Sequence, residues 1–88
     1  VTIYRVEFLS KAADDLERLD NEIIERILSK LKWLADNCSG IAPEPLSGQL
    51  KGLFKLRVGS YRIVYSLDRN KQIITVHLVG HRSEIYRI

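Results

Sequence analysis

Residues 53–67 read LFKLRVGSYRIVYSL, and the fold follows from how that stretch alternates. Phe54, Leu56 and Val58 are apolar, with Lys55 and Arg57 between them, the period of two expected of a strand buried on one side. Gly59-Ser60 then supplies a two-residue turn of the kind that joins antiparallel strands. The returning strand puts Tyr61, Ile63, Tyr65 and Leu67 on one face and Arg62, Val64 and Ser66 on the other. Asp68–Lys71 makes a second turn, and Gln72–Gly80 a third strand in which Ile74, Val76 and Leu78 continue the apolar face. The expected product is a meander with one apolar side, and such a side needs a cover.

The cover lies upstream. Val1–Phe8 alternates too, with Tyr4, Val6 and Phe8 set against Ile3, Arg5 and Glu7, which predicts a first strand. Ser10 is the expected N-cap of a first helix, carrying Ala12, Leu16 and Leu19 at helical spacing as far as Asp20. Asp20 or Asn21 caps a longer second helix, with Ile24, Ile27, Leu28, Leu31 and Leu34 as its apolar stripe and Glu25, Arg26, Lys30 and Lys32 in water. Gly40 and Pro43-Glu44-Pro45 stop that helix and open a loop to about Gly52. The expected architecture is α+β: an N-terminal strand, then an antiparallel two-helix hairpin packed on one face of a small, mostly antiparallel sheet, in a single domain over residues 1–88.

Composition agrees with this and excludes several classes. At 88 residues the chain is sized for one small core, and 45% hydrophobic residues are too many for a disordered segment. No apolar run approaches a membrane span, and Val1–Glu7 lacks the charged head and apolar stretch of a signal peptide, so a cytoplasmic protein with no membrane partner is expected. Cys38 is the only cysteine; no internal disulfide can form, no Cys/His cluster has zinc-site spacing, and the thiol is read as a half-buried spacer, leaving no expected metal or cofactor. Trp33, Tyr4, Tyr61 and Tyr65 are read as packing residues.

The charge is unevenly distributed. Residues 1–50 hold six Lys/Arg against nine Asp/Glu, whereas residues 51–88 hold eight against two, so the net +3 conceals a C-terminal part at +6. If Gly59 and Ser60 form the hairpin loop, Val58 pairs with Tyr61 and Arg57 lies opposite Arg62. With an even-length turn around Arg69-Asn70, Arg62 in turn faces His77, and Arg57, Arg62 and His77 form a transverse row beside Lys55, on the side away from the helices. Like charges placed opposite each other in a sheet cost roughly 0.2–1 kcal/mol per pair, so folding alone would not select the row. A polyanion bound over the sheet would relieve the repulsion, and guanidinium forks suit phosphate oxygens.

The stretches LSGQLKGLFKLRVGSYRIVYSL at 46–67 and VGHRSEIY at 79–86, with the order strand, two helices, sheet, resemble the RelE/ParE superfamily of toxins over nearly the whole chain. The resemblance implies a RelE-like, microbial-RNase-like fold. It also implies the toxin half of a type II toxin–antitoxin pair, a ribosome-dependent messenger RNA endonuclease that inhibits translation. By resemblance to RelE, Lys55, Arg57 and Arg62 correspond to basic residues that hold and cleave RNA phosphate. His81-Arg82 lies where RelE carries a catalytic Arg, and Tyr86 matches a Tyr that stacks on a message base. Lys51 and His77 join Lys55 as expected RNA contacts, and Pro43-Glu44-Pro45-Leu46 resembles a YoeB segment whose Glu is a general base, which makes Glu44 a weaker catalytic candidate. Implied partners are a cognate RelB-type antitoxin, the ribosome with its RNA, and messenger RNA; operator DNA would be reached only through the antitoxin complex.

The residues suit metal-free cleavage by the substrate's own 2′-hydroxyl. Arg57 and Arg62 would stabilise charge on phosphorus, Lys55 would anchor the neighbouring phosphate, and His81, His77, Tyr86 and Glu44 are the acid and base candidates, left unassigned. The need for a 2′-hydroxyl excludes DNA as substrate. The alternatives are a ParE-like inhibitor of DNA gyrase without nuclease activity and a non-catalytic RNA-binding relative. Lys55, Arg57, Arg62 and Tyr86 together argue against the first, because a gyrase binder has no need of a phosphate-stabilising cluster.

Overall fold

The computed structural model describes residues 3–85. Its elements follow the order β1 (Arg5–Phe8), α1 (Ser10–Glu17), α2 (Asn21–Asn37), β2 (Glu44–Pro45), β3 (Phe54–Val58), β4 (Tyr61–Asp68) and β5 (Ile73–His81), with single 3₁₀ turns at Cys38–Gly40 and Gly48–Leu50. The five strands form one sheet in the order β1-β5-β4-β3-β2. Only β1 runs parallel to its neighbour, β5; the other pairs are antiparallel, as the short turns between them require.

Both helices pack on one face of the sheet. Ile27, Leu31, Leu34 and Ala35 of α2 are buried at spacings of four, three and one, the stripe that one side of a helix can press onto a sheet. They meet Ile63 and Tyr65 of β4 and Ile74, Val76 and Val79 of β5, with Tyr4 and Ala12 completing the core. Leu28, expected in the stripe, is instead 44% exposed, because it lies to one side of the buried line and over the β1 edge with Phe8. Cys38 is fully buried, more than its expected spacer role required; burial pushes its thiol pKa up, and Arg69 offsets part of that.

The first hairpin is as read. Val58 pairs with Tyr61 and Arg57 with Arg62, and Gly59 has the positive φ (58°) that the first residue of a type II′ turn demands. The second hairpin is not. Tyr65 pairs with Val76 but Val64 pairs with Leu78, so His77 is an extra residue bulged out of β5. Up to the bulge Ile74 and Val76 face the helices; beyond it the parity switches and Val79 enters the core in place of Leu78, and because the turn also closes at Asp68–Ile73, later than expected, Arg62 stands opposite Gly80 rather than His77.

The bulge coincides with a change of neighbour. The chain leaves β1 at Leu9, whose amide donates to the Val76 carbonyl (3.0 Å), and turns into α1, so among the described residues β5 beyond Val76 has no strand on that side. Asp15 of α1 takes over: it is buried, its Oδ2 accepts the Val79 N–H at 3.0 Å, and its Oδ1 is held by Lys11 one turn earlier. A strand N–H buried without an acceptor would cost about 1–3 kcal/mol. Two smaller differences concern helix starts. Leu9 rather than Ser10 occupies the cap of α1, and Asp20 caps α2 without a side-chain hydrogen bond.

Candidate functional site

The face of the sheet opposite the helices carries the candidates. Alternation along β3 puts Lys55 and Arg57 there, and alternation along β4 puts Arg62, Val64 and Ser66 beside them. The cross-strand register then defines two rows. One holds Arg57 and Arg62, continuing to Gly80; the next holds Glu44, Lys55 and Val64, continuing to Leu78.

Glu44 is the residue whose position sequence reasoning left loose. Its two-residue strand pairs with Phe54 and Lys55, which sets Glu44 directly across from Lys55, with Oε2 3.7 Å from Nζ. A carboxylate and an ammonium opposite each other on a sheet attract, so the pair helps to seat β2. The sequence signal was present in Pro43-Glu44-Pro45: prolines are tolerated on an edge strand, where a missing N–H spoils no ladder bond. The neighbouring Lys51 is exposed in the turn that follows Gly48–Leu50.

The two arginines differ. Arg62 folds back over the hairpin turn, its Nη1 donating to the carbonyls of Gly59 and Tyr61, both at 2.9 Å. Those carbonyl dipoles offset part of its charge and hold the guanidinium over the turn, so the repulsion with Arg57 is eased from within as well as by any outside anion. Among the described residues only Nη1 of its guanidinium is engaged, leaving Nη2 and Nε for a ligand. Arg57 is exposed and has no ion pair among the described residues.

The histidines fall outside the arginine row. His77, at the bulge, has Nε2 2.9 Å from Ser66 Oγ, four residues along β4 from Arg62 and therefore about 13 Å away along the strand. The expected row of Arg57, Arg62 and His77 is corrected accordingly: the turn closes at Asp68–Ile73, two residues off the expected register, and the bulge adds one more, so Arg62 meets Gly80. His81 pairs with Tyr61, on the helix-facing side, and meets that ring edge-on with centroids 5.6 Å apart. The Ser83 amide donates to His81 Nδ1 (3.1 Å) and Ser83 Oγ lies 2.8 Å from the same nitrogen, so Nδ1 is an acceptor and the ring ties down the turn after β5. Arg82 has the opposite parity, that of Arg62 and Gly80; its amide donates to the Ser60 carbonyl at 2.8 Å, which brings it beside the Gly59-Ser60 turn on which Arg62 rests. Tyr86 lies outside the described residues.

The site thus unites Glu44, Lys55, Arg57 and Arg62, with Arg82 at its border and with His77 and His81 apart. Such a set can hold phosphate, stabilise added charge on it, and offer one carboxylate to a proton. Trp33 was expected to pack, yet it is 43% exposed on α2, with Lys30 Nζ 3.9 Å from its ring centroid. Among the described residues no helix is long and apolar enough to cross a membrane.

Comparisons with known proteins add family to geometry. A family model described as the ParE toxin of the type II toxin–antitoxin system parDE matches residues 6–86. The toxin RelG of Mycobacterium tuberculosis is 30% identical over 84 residues, covering 96% of this chain and 97% of its own. A putative RelE-like toxin protein of Escherichia coli is 33% identical over 92 residues, covering 97% and 92%. Among solved structures, a RelBE toxin–antitoxin complex of M. tuberculosis superposes with a TM-score of 0.83 at 27% identity, covering 96% of this chain and 97% of that one. A free-state E. coli RelE toxin carrying two arginine-to-alanine substitutions gives 0.77 at 26% identity, covering 97% and 92%.

Proposed function

The chain belongs to the ParE toxin family of the RelE/ParE superfamily and is a toxin of a type II toxin–antitoxin system; from that premise we propose that it is a ribosome-dependent endoribonuclease that cuts messenger RNA. The observation that carries this reading is the pairing of Arg57 with Arg62 next to the Glu44–Lys55 pair on the face the helices leave open. Three cations and a carboxylate within two adjacent rows match what phosphodiester cleavage needs from a protein.

In the proposed reaction the 2′-oxygen of one nucleotide attacks the adjacent phosphorus and the bond from phosphorus to the 5′-oxygen breaks. A 2′,3′-cyclic phosphate and a 5′-hydroxyl result. Arg57 and the free Nη2 and Nε of Arg62 stabilise the charge that builds on the non-bridging oxygens; because backbone carbonyls already orient Arg62, little reorganisation is left for the transition state. Lys55 anchors the neighbouring phosphate, with Lys51 and His77 as outer RNA contacts. Glu44 is the base for the 2′-proton, a role its position opposite Lys55 supports. Between His81 and Arg82, parity favours Arg82 for the Arg role, since His81 faces the helix side and is occupied by Ser83. Tyr86 as the residue stacking on a message base, and contributing to the acid step, rests on the family resemblance.

A RelB-type antitoxin is the proposed protein partner, by analogy with the RelBE complexes among the similar structures. It would neutralise the toxin until released. Gyrase inhibition is the second reading, favoured by the ParE description of the matching family. One experiment separates the two: induce the chain in cells, map message ends and recover gyrase-linked DNA. Message cleavage within translated codons is the expected result, and gyrase-linked breaks without message cleavage would overturn it.

A further inference from the structure

β2 pairs only with Phe54 and Lys55, so among the described residues the β3 edge at Leu56–Val58 has no strand beside it. Two adjoining clefts open along that edge beneath α2, of about 730 and 290 Å³, and Lys30, Trp33 and Arg57 line both. The larger lies in the volume range of sites for small organic groups, about 300–1,000 Å³. Arg57 stands at the edge where this groove meets the basic face, and the smaller cleft reaches Glu44 and Lys55.

Arg57, Lys30 and Trp33 line the end that the two clefts share, while Glu22, Glu25 and Arg26 lie toward the start of α2 and make that end mixed in charge. Lys30 Nζ lies over the indole, and Trp33 as a whole is 43% exposed. At the shared end of the two clefts the cations Arg57 and Lys30 stand beside an exposed indole, so that a phosphate can rest on the first pair and a base can stack on the ring.

We propose that this groove is a subsite for one unpaired nucleotide of the message flanking the cleaved bond, its base stacked on Trp33. The subsite rests on the ribonuclease reading and extends it to a residue that neither the sequence reading nor the comparisons assign. It gives the enzyme a grip on RNA beside the scissile phosphate, and because stacking tolerates many bases it adds affinity more than sequence selectivity.

The test uses programmed ribosomes carrying messages with an abasic nucleotide at each position flanking the cleaved bond in turn, cut by the unaltered protein and by Trp33→Ala. At one position the abasic change is expected to lower kcat/KM about tenfold for the unaltered protein, the scale of one base–aromatic stack, and to have no effect on Trp33→Ala. Trp33→Phe should restore part of the sensitivity. If Trp33→Ala slows every message alike with no abasic position losing its effect, the groove contacts the ribosome or another protein and the subsite is overturned. If the unaltered protein cuts no message, the ribonuclease reading itself fails and the subsite falls with it. The side chain is exposed, so a folded variant is expected, and circular dichroism checks it.

Discussion

The two hairpins of this sheet are built from neighbouring sequence and behave oppositely. In β3–β4 a two-residue turn sets the register, every residue keeps the expected parity, and Arg57 meets Arg62. In β4–β5 a bulge at His77 shifts the register midway, and the residues beyond it exchange faces. A tight turn dictates pairing locally, within a few residues of itself. A longer hairpin answers also to what lies on its other side, here the departure of β1 at Leu9 and the arrival of Asp15.

The largest expected effect breaks the functional half of that contrast. Arg62→Ala should lower message cleavage at least 100-fold, the scale of losing a donor preorganised on developing charge, and abolish growth inhibition. Thermal unfolding should move little, since the two turn carbonyls return to water. Full toxicity in a folded Arg62→Ala protein would mean that the paired-arginine face is not the active surface.

Next comes the prop of the second hairpin. Asp15→Ala should destabilise by about 2 kcal/mol in urea unfolding, because the Val79 N–H then lies buried without an acceptor. Asp15→Asn keeps an oxygen there and should recover most of the loss. Equal losses for both variants would point to the charge and Lys11, not the strand N–H. Gly59→Ala sharpens the first hairpin: φ of 58° strains an L-residue and the new Cβ would sit 3.1 Å from Arg26 Nη2, so a loss of about 1 kcal/mol is expected, at the low end because that side chain can move.

The smallest expected effect concerns Tyr65, which faces the core where the hairpins share β4. Burial raises its phenol from 10.0 to about 12. The folded state holds that proton more tightly than the unfolded chain, so its contribution to stability is present below pH 10 and is lost as pH rises through 12. Urea midpoints at rising alkaline pH should fall, and Tyr65→Phe should flatten that slope.

How far the chain could be read in advance varies along it for physical reasons. The helices and β3 were legible because each has a clear period, as in Ile27, Leu31 and Leu34, and in β4 Ile63 and Tyr65 took the expected side although Val64 between them is buried as well. Arg57 opposite Arg62 was legible from the turn alone. Glu44 was hidden because two residues are too few to show a period, and Asp15 because a lone carboxylate on a helix is no different in sequence from a solvated one. Trp33 was misread because an aromatic beside an apolar stripe looks like part of it.

By itself, then, the sequence determined the family, the order of elements, the side of the sheet that would be covered and the meeting of two guanidiniums on the other side. All of these depend on local periods and on one short turn. Only the tertiary structure decided that His77 and His81 stand apart from the arginines, that Glu44 joins Lys55, and that Arg62 is moored to Gly59 and Tyr61. Those outcomes turn on which backbone groups still lack partners once β1, α1 and β5 have packed, and such a shortage exists only in the assembled sheet.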